Sequence, residues 1–332
     1  MKPWTKLLGG ALSCLALAAG TAHAAAPYPS KQIQIVLGFP PGGGNDILAR
    51  IFAQHLQQTW GQPVIVVNKP GASTIIAAES VARAAPDGHT LLVGSSSTIT
   101  INPVLYRDLP YRPQRDFAPV TILSAFPLIL AVQPSMKVND VGELVAAAKT
   151  ASPSLNYSSA STLFQLAGER FKQMAGVDVT HIPYKGSAQA LTALTTGDVQ
   201  MLFIDPAPML AQIKVGKAKA LAVTSARRYS LLPDVPTMTE SGVPGYDFTS
   251  WIALFAPAGT PPEIVSKVQK EVARILEKPE VRKQLETLGM EAGGTALGIA
   301  SADNTPESLT RVIHDEAERF AQVIKTANIK AQ

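Results

Sequence analysis

Residues 32–61, QIQIVLGFPPGGGNDILARIFAQHLQQTWG, decide the fold. Gln32 to Leu37 reads as a buried strand, and Gly38-Phe39-Pro40-Pro41-Gly42-Gly43-Gly44 as a loop. A helix follows, because Leu48, Ile51, Phe52, His55 and Leu56 fall at spacings of three and four, with Asn45 or Asp46 as the cap and Gly61 as the stop. Val64 to Val67 is a second strand, Pro70-Gly71 opens a helix reaching about Ala85, Pro86-Asp87-Gly88 turns the chain, and Thr90 to Val93 is a third strand. Strands alternating with helices in this way specify a parallel α/β sheet.

The alternation resumes after about residue 125. Pro127 to Val132 reads as a strand, Val138 to Thr150 as a helix capped by Asn139 or Asp140, and Ser158 to Ala175 as a longer helix after a strand near Asn156. Val177 to Ile182, a helix ending at Gly197, and Val199 to Ile204 make one more βαβ unit. A short strand at Leu221 to Thr224 precedes a Pro- and Gly-rich loop from Leu232 to Tyr246, and Ser250 to Phe255 is again strand-like. Helices over about 263–276, 280–288 and 306–326 have no sheet of their own and are expected to pack on the first lobe. Two α/β lobes follow: lobe one from 25–124 and 250–332, lobe two from 125–249, with two chain crossings between them.

Length and composition agree with two folded lobes. The chain has 332 residues, of which 16% are charged and 46% hydrophobic; soluble proteins average about 25% charged, so disorder is excluded. Residues 1–24 read as a cleavable signal peptide: Lys2 and Lys6, then an uncharged apolar run from Leu7 to Ala19, then Ala22-His23-Ala24. Periplasmic localisation is expected, with cleavage near Ala24 or Ala26. Without Lys2 and Lys6 the net charge falls from +4 to +2, and no basic cluster interleaved with aromatics suggests nucleic acid. The only cysteine, Cys14, lies inside the signal. The mature chain therefore has no thiol for disulfides, catalysis or metal ligation.

Enzyme motifs are missing. No GxSxG elbow or HExxH occurs, and His55, His89, His181 and His314 lack metal-ligand spacing. The glycine loop has neither a P-loop ending nor GxGxxG spacing. Its place before a helix suits an anion such as a carboxylate, or simply a tight turn. Ser95 to Thr98 follows the third strand, and Tyr157 to Thr162 precedes a helix of lobe two; ligands of open α/β sheets bind at such carboxyl ends of strands. Asp205 is a turn cap or a pocket carboxylate, and Lys185 an anion-attracting group or a solvated turn residue.

Together these segments resemble the periplasmic solute-binding proteins of the tripartite tricarboxylate transporter family, also called Bug-type receptors. The resemblance rests on YPSKQIQIVLGFPPGGGNDILAR, VNKPGAS with VARAAPDGHTLL, INPVLY, LAGERFK with GVDVTHIPYKGSAQAL, GKAKALAVTSARRYSLLPDVPT with SGVPGYDF, and APAGTP, in that order. It implies an α/β, two-lobed periplasmic binding protein of the type II, Venus-flytrap kind, a non-catalytic monomer without cofactor or metal. Such a receptor captures a di- or tricarboxylate or aromatic acid and delivers it to the permease subunits of a tripartite tricarboxylate-type transporter. The binding residues it implies are Phe39, Pro41, Gly42, Gly43, Asp46, Ser96, Thr98, Ser159, Ser161, Tyr184, Gly186 and Asp205. Two segments depart from the family pattern. Ser73-Thr74-Ile75-Ile76 stands where glycines are usual, and Ser159 to Gln165 lacks the usual glycines and adds Phe164, which would favour an apolar or aromatic carboxylate if it faces the cleft. A periplasmic hydrolase and a ligand-sensing adaptor for a sensor kinase are the alternative functions.

Overall fold

A computed structural model describes residues 28–184, 186–327 and 329; the expected signal peptide, its cleavage site, Cys14 and Lys185 lie outside the described residues. The chain runs β1 (Ile33–Leu37), α1 (Gly44–Trp60), β2 (Val64–Asn68), α2 (Ile75–Ala82), β3 (Thr90–Ser95), α3 (Asn102–Leu105), α4 (Pro113–Asp116) and β4 (Phe117–Pro127). It continues through β5 (Ile129–Val132), α5 (Val141–Thr150), β6 (Asn156–Ser159), α6 (Thr162–Ala175), β7 (Thr180–Pro183), α7 (Ser187–Thr196), β8 (Met201–Ile204), α8 (Pro206–Lys214) and β9 (Lys219–Val223). After a long irregular stretch come β10 (Thr249–Pro257), α9 (Pro262–Glu277), α10 (Pro279–Thr287), β11 (Glu291–Ala292) and α11 (Pro306–Thr326).

Two sheets, each the centre of a lobe, account for these strands: one ordered β11-β4-β10-β3-β1-β2, the other β7-β6-β8-β5-β9. Successive side chains of a strand point to opposite faces. Ile33, Ile35 and Leu37 of β1 accordingly pack with α1, α9 and α10 on one face, and Val36 with α2 and α11 on the other. A sheet covered on both faces explains why this strand is so apolar. The start of α1 differs from the expectation: the N-cap is Gly43, not Asn45 or Asp46. Its stop is as expected, Gly61 at φ 66.

Both sheets are mixed rather than parallel, because β10 runs antiparallel to β3 and β4, and β5 antiparallel to β8 and β9. Several elements escape a reading of the sequence, among them α3, α4 and β11 for their shortness, and β4 and α8 through proline. β4 carries Pro119, which argues against a strand; here it sits beside a register shift against β10. α8 begins Pro206-Ala207-Pro208, tolerated because first-turn amides need no intrahelical partner.

The crossings between lobes are joined through buried Thr224. Its Oγ1 accepts from the Leu128 amide at 2.7 Å and lies 2.5 Å from the Phe248 carbonyl oxygen, to which it donates. The C-terminal helix α11 serves both lobes, beyond the expected packing on lobe one. Leu309 and Ile313 pack beneath the first sheet, while Phe320, Val323 and Ile324 join the lobe-two core. Between them Glu316 is buried, and its Oε2 accepts from Thr100 Oγ1 at 2.7 Å and Trp251 Nε1 at 2.9 Å. Burial pushes its carboxyl up to about 7.

Candidate functional site

A cleft of about 610 Å³ lies between the lobes. Lobe one contributes Phe39, Pro40, Gly43, Gly44 and Asn45 from the loop after β1, Ser95 and Ser97 after β3, Phe126, Ser250 and Ile252 from the crossing strands, and Leu288 to Met290 before β11. Lobe two contributes Ala160 to Phe164 at the start of α6, Gly186 and Ser187 at the start of α7, and Asp205 to Ala207 at the start of α8, Thr162 excepted.

The lobe-one loop is held from behind. Gly38 must be glycine because a Cβ there would lie 2.5 Å from the Thr74 Cβ and 2.6 Å from its Cα. Asp46, almost fully buried, gathers the loop: its carboxylate accepts from the Gly42 amide, Arg50 Nε and Asn68 Nδ2, each at 2.9 Å. Asn68 Nδ2 also donates to the Phe39 carbonyl at 3.0 Å. The Arg50 hydrogen bond is the largest influence, and with the Gly42 and Asn68 hydrogen bonds it outweighs burial and holds the Asp46 carboxyl down to about 2. Beneath this loop Ala72, Ser73 and Thr74 all have positive φ, at 45°, 51° and 75°. Left-handed backbone of this kind favours glycine, which is the physical content of the departure at Ser73-Thr74.

Of the residues expected at the site, Phe39, Gly43, Ser161, Phe164, Gly186 and Asp205 line the cleft. The others are placed elsewhere. Asp46 is turned inward as described. The Gly42 amide is committed to Asp46, and Pro41 and Gly42 lie on the exposed side of the loop. Ser96 is buried with its Oγ near the Trp251 amide at 3.4 Å, and Thr98 Oγ1 pairs with Thr74 Oγ1 at 2.7 Å. Tyr184 lines a separate surface depression beside Ala188 and Thr192. In the loop after β3 it is Ser95 and Ser97, not Ser96 and Thr98, that reach the cleft. Ser187 and Ser250 also line it; each immediately follows or opens a segment already singled out, so position in the motif was a usable signal. Leu288 to Met290 carry no motif and are brought in only by tertiary packing.

Ser159 Oγ stands 2.7 Å from His181 Nε2, the distance of a nucleophile and its base. The pair does not line the cleft, Ser159 is buried, and no carboxylate among the described residues bonds the histidine. Burial pushes the His181 imidazole below its ordinary value. The Tyr157 ring lies 5.0 Å from the imidazole. This is the register of β6 beside β7, Tyr157 opposite His181, and it packs rather than reacts.

What the cleft offers an anion is neutral donors without cations, beside one acidic side chain, Asp205. Among the described lining residues none is lysine, arginine or histidine. Instead α1, α6 and α7 begin at its walls with first-turn amides, while α8, which opens Pro206-Ala207-Pro208 behind the acidic Asp205, offers only the Ala207 amide. First-turn amides have no intrahelical partners, and the helix dipole adds partial positive charge there. Serine hydroxyls from both lobes supply further donors, while Phe39, Phe126, Leu163, Phe164, Ile252 and Met290 form apolar walls. Such a site can accommodate a small molecule with an anionic end and an apolar body.

Known proteins share this architecture. Protein BugT of Bordetella pertussis is 32% identical over 327 residues, 96% of this chain and 98% of BugT. The structure of R. palustris Rpa4515 with adipate has a TM-score of 0.76 and 34% identity, covering 91% of this chain and 99% of that one. MatC from Rhodopseudomonas palustris with bound malate has a TM-score of 0.73 and 32% identity, covering 90% of this chain and all of MatC. The family model of the tripartite tricarboxylate transporter receptor, TctC, matches residues 48–329, so the chain belongs to the tripartite tricarboxylate transporter family of solute-binding receptors.

Proposed function

We propose that this protein is an exported receptor that closes its two lobes on a small carboxylate and hands it to the membrane subunits of a tripartite tricarboxylate-type transporter. Supporting the reading above all is the convergence of the N-termini of α1, α6 and α7 and several serine hydroxyls on a cleft whose described lining has no basic side chain. Neutral donors of this kind hold a carboxylate without the long desolvated cation that would slow release. Relatives solved with adipate and with malate support a carboxylic acid as the class. The cleft volume and the presence of Phe164 on its wall favour a ligand with an apolar body over a compact hydroxyacid. Residues 1–24 direct export, lobe one comprises 25–124 and 250–332, lobe two comprises 125–249, and the receptor works as a monomer without catalysis.

The test is thermal melting across a panel of linear, branched and aromatic carboxylic acids, followed by small-angle scattering with the best of them. A ligand binding only the folded state at 100 times its dissociation constant adds about 2.7 kcal/mol of stability. Stabilisation by at least one acid together with a smaller radius of gyration is expected; a panel that leaves the melting temperature unmoved would defeat the reading.

A further inference from the structure

Thr100 Oγ1 makes two short contacts, 2.6 Å to the Ser96 carbonyl oxygen and 2.7 Å to Glu316 Oε2. A threonine hydroxyl has one proton to donate and a carbonyl only accepts, while oxygens this close need a proton between them. With Glu316 ionised, the hydroxyl serves one contact and the other brings lone pairs together. With Glu316 protonated, both are served: the acid donates to Thr100, and Thr100 donates to the Ser96 carbonyl. Ser96, Thr100 and Glu316 are all buried, so bulk water does not repair the contact left unserved.

The charged surroundings fit the neutral acid. In the small crevice beside Glu316, α6 presents Arg170, the segment before β10 presents Asp247, and α11 itself presents Arg319. Arg319 Nη1 lies 3.5 Å from Asp247 Oδ2, while Arg170 donates to the Gly245 carbonyl and lies over the Tyr246 ring, so neither arginine forms an ion pair with Glu316. β10 meets the carboxyl with Trp251, and the turn of residues 97–101 meets it with Thr100; neither is charged. Arg319 lowers the carboxyl less than burial raises it.

Ser96 is flanked by the two serines of its loop that line the cleft, Ser95 and Ser97. We propose that Glu316 is a positioning residue for the carboxylate site: as the neutral acid it fixes the Ser96–Ser97 peptide through Thr100 and so aims the Ser95 and Ser97 hydroxyls, and on ionisation it releases that peptide. Affinity for a carboxylate then falls as pH rises through neutrality, and by reciprocity the liganded receptor holds the Glu316 proton more tightly than the free one. This deepens the receptor reading above and rests on it.

Calorimetric titration with adipate, L-malate, benzoate and 3-phenylpropanoate at about pH 6.5 and about pH 8.5 tests this, because carboxylic acids with ordinary values near about 4 are ionised at both. At least one acid should bind, and the unsubstituted protein should hold it at least about fivefold tighter at the lower pH. In Glu316→Gln the side-chain amide donates to Thr100 as the neutral acid does and cannot ionise. Its affinity should therefore stay, at both pH values, within about threefold of the unsubstituted protein's value at the lower pH. Thr100→Val removes the link, so its affinity should be low and insensitive to pH, which keeps the test available if the glutamine variant does not fold. Affinity of the unsubstituted protein that is flat over this range, or a pH dependence that survives either substitution, would overturn the inference while leaving the receptor reading intact. Binding of none of these probes, nor of any acid of the wider panel, would remove the receptor reading and this inference together.

Discussion

Gly289, between α10 and β11 of lobe one, meets lobe two at the mouth of the cleft. Its φ is +68°, and a Cβ built on it would lie 2.8 Å from the Ala207 nitrogen and 3.2 Å from the Ala207 Cα. Ordinary van der Waals contact begins near 3.4 Å, so an alanine would be too close by about 0.6 Å. The obstructing atoms are backbone at the head of α8, where no rotamer change gives relief, and the lobes must part. Overpacking of this kind typically costs about 1–3 kcal/mol. Charged wholly to the closed arrangement, that is a roughly 5- to 150-fold loss of affinity for any ligand that requires closure. Gly298→Ala is the matched control, since Gly298 has φ +76° and a Cβ added there would meet nothing within 4 Å. Both substitutions carry the left-handed backbone penalty of a non-glycine residue, and only one carries the clash. Calorimetric titration with the best-binding acid, beside melting curves, should show similar stabilities and a large affinity loss confined to Gly289→Ala. Equal affinities in the two variants would refute the reasoning.

Asp46→Asn should lower stability by about 1–3 kcal/mol, because it removes the charge that gathers Gly42, Arg50 and Asn68; urea unfolding measures it. The same substitution should flatten acid sensitivity, since a folded-state carboxyl held at about 2 stabilises above the ordinary carboxylate value and that stability is lost as pH falls towards 2. Glu316 works in the opposite sense. With its carboxyl raised to about 7 from 4.5, its contribution is full below about 4.5 and lost as pH rises through 7, so melting of Glu316→Gln should vary less over that window than wild type. Gly168→Ala would place a Cβ 2.3 Å from the Tyr157 ring and should destabilise the protein by about 1–3 kcal/mol; an unchanged midpoint in chemical denaturation would contradict the packing. Ser73→Gly relieves a residue at φ 51° and should raise stability by roughly 1 kcal/mol, the αL cost less the added chain entropy of glycine.

Much of the fold was legible because its signals are local. β1, α1 and Gly61 follow from periodicity and a stop residue, and α11 matches its expected span of 306–326. β4 and α8 were hidden because each contains proline, whose effect depends on a partner strand or a helix position that sequence does not display. The site was legible at the level of loops. Which hydroxyl of Ser95 to Thr98 turns outward is decided by Thr74 and Trp251, residues distant in sequence that take Thr98 and Ser96 inward. Asp46 lay in the right loop for the wrong reason: it neither caps α1 nor lines the cleft, because Arg50 and Asn68 claim its carboxylate. Gly289 was invisible, since nothing in its neighbours in sequence places it against α8.

If the cleft recognises the negative charge of a carboxylic acid through helix N-termini and hydroxyls, removing that charge must cost affinity. Titrating the protein calorimetrically with the acid that stabilises it most, and with the primary amide of that acid, tests this directly because the two differ in charge and hardly in shape. Saturable one-to-one binding of the acid is expected, with a loss of at least about tenfold for the amide. An amide that binds as tightly as the acid would contradict it.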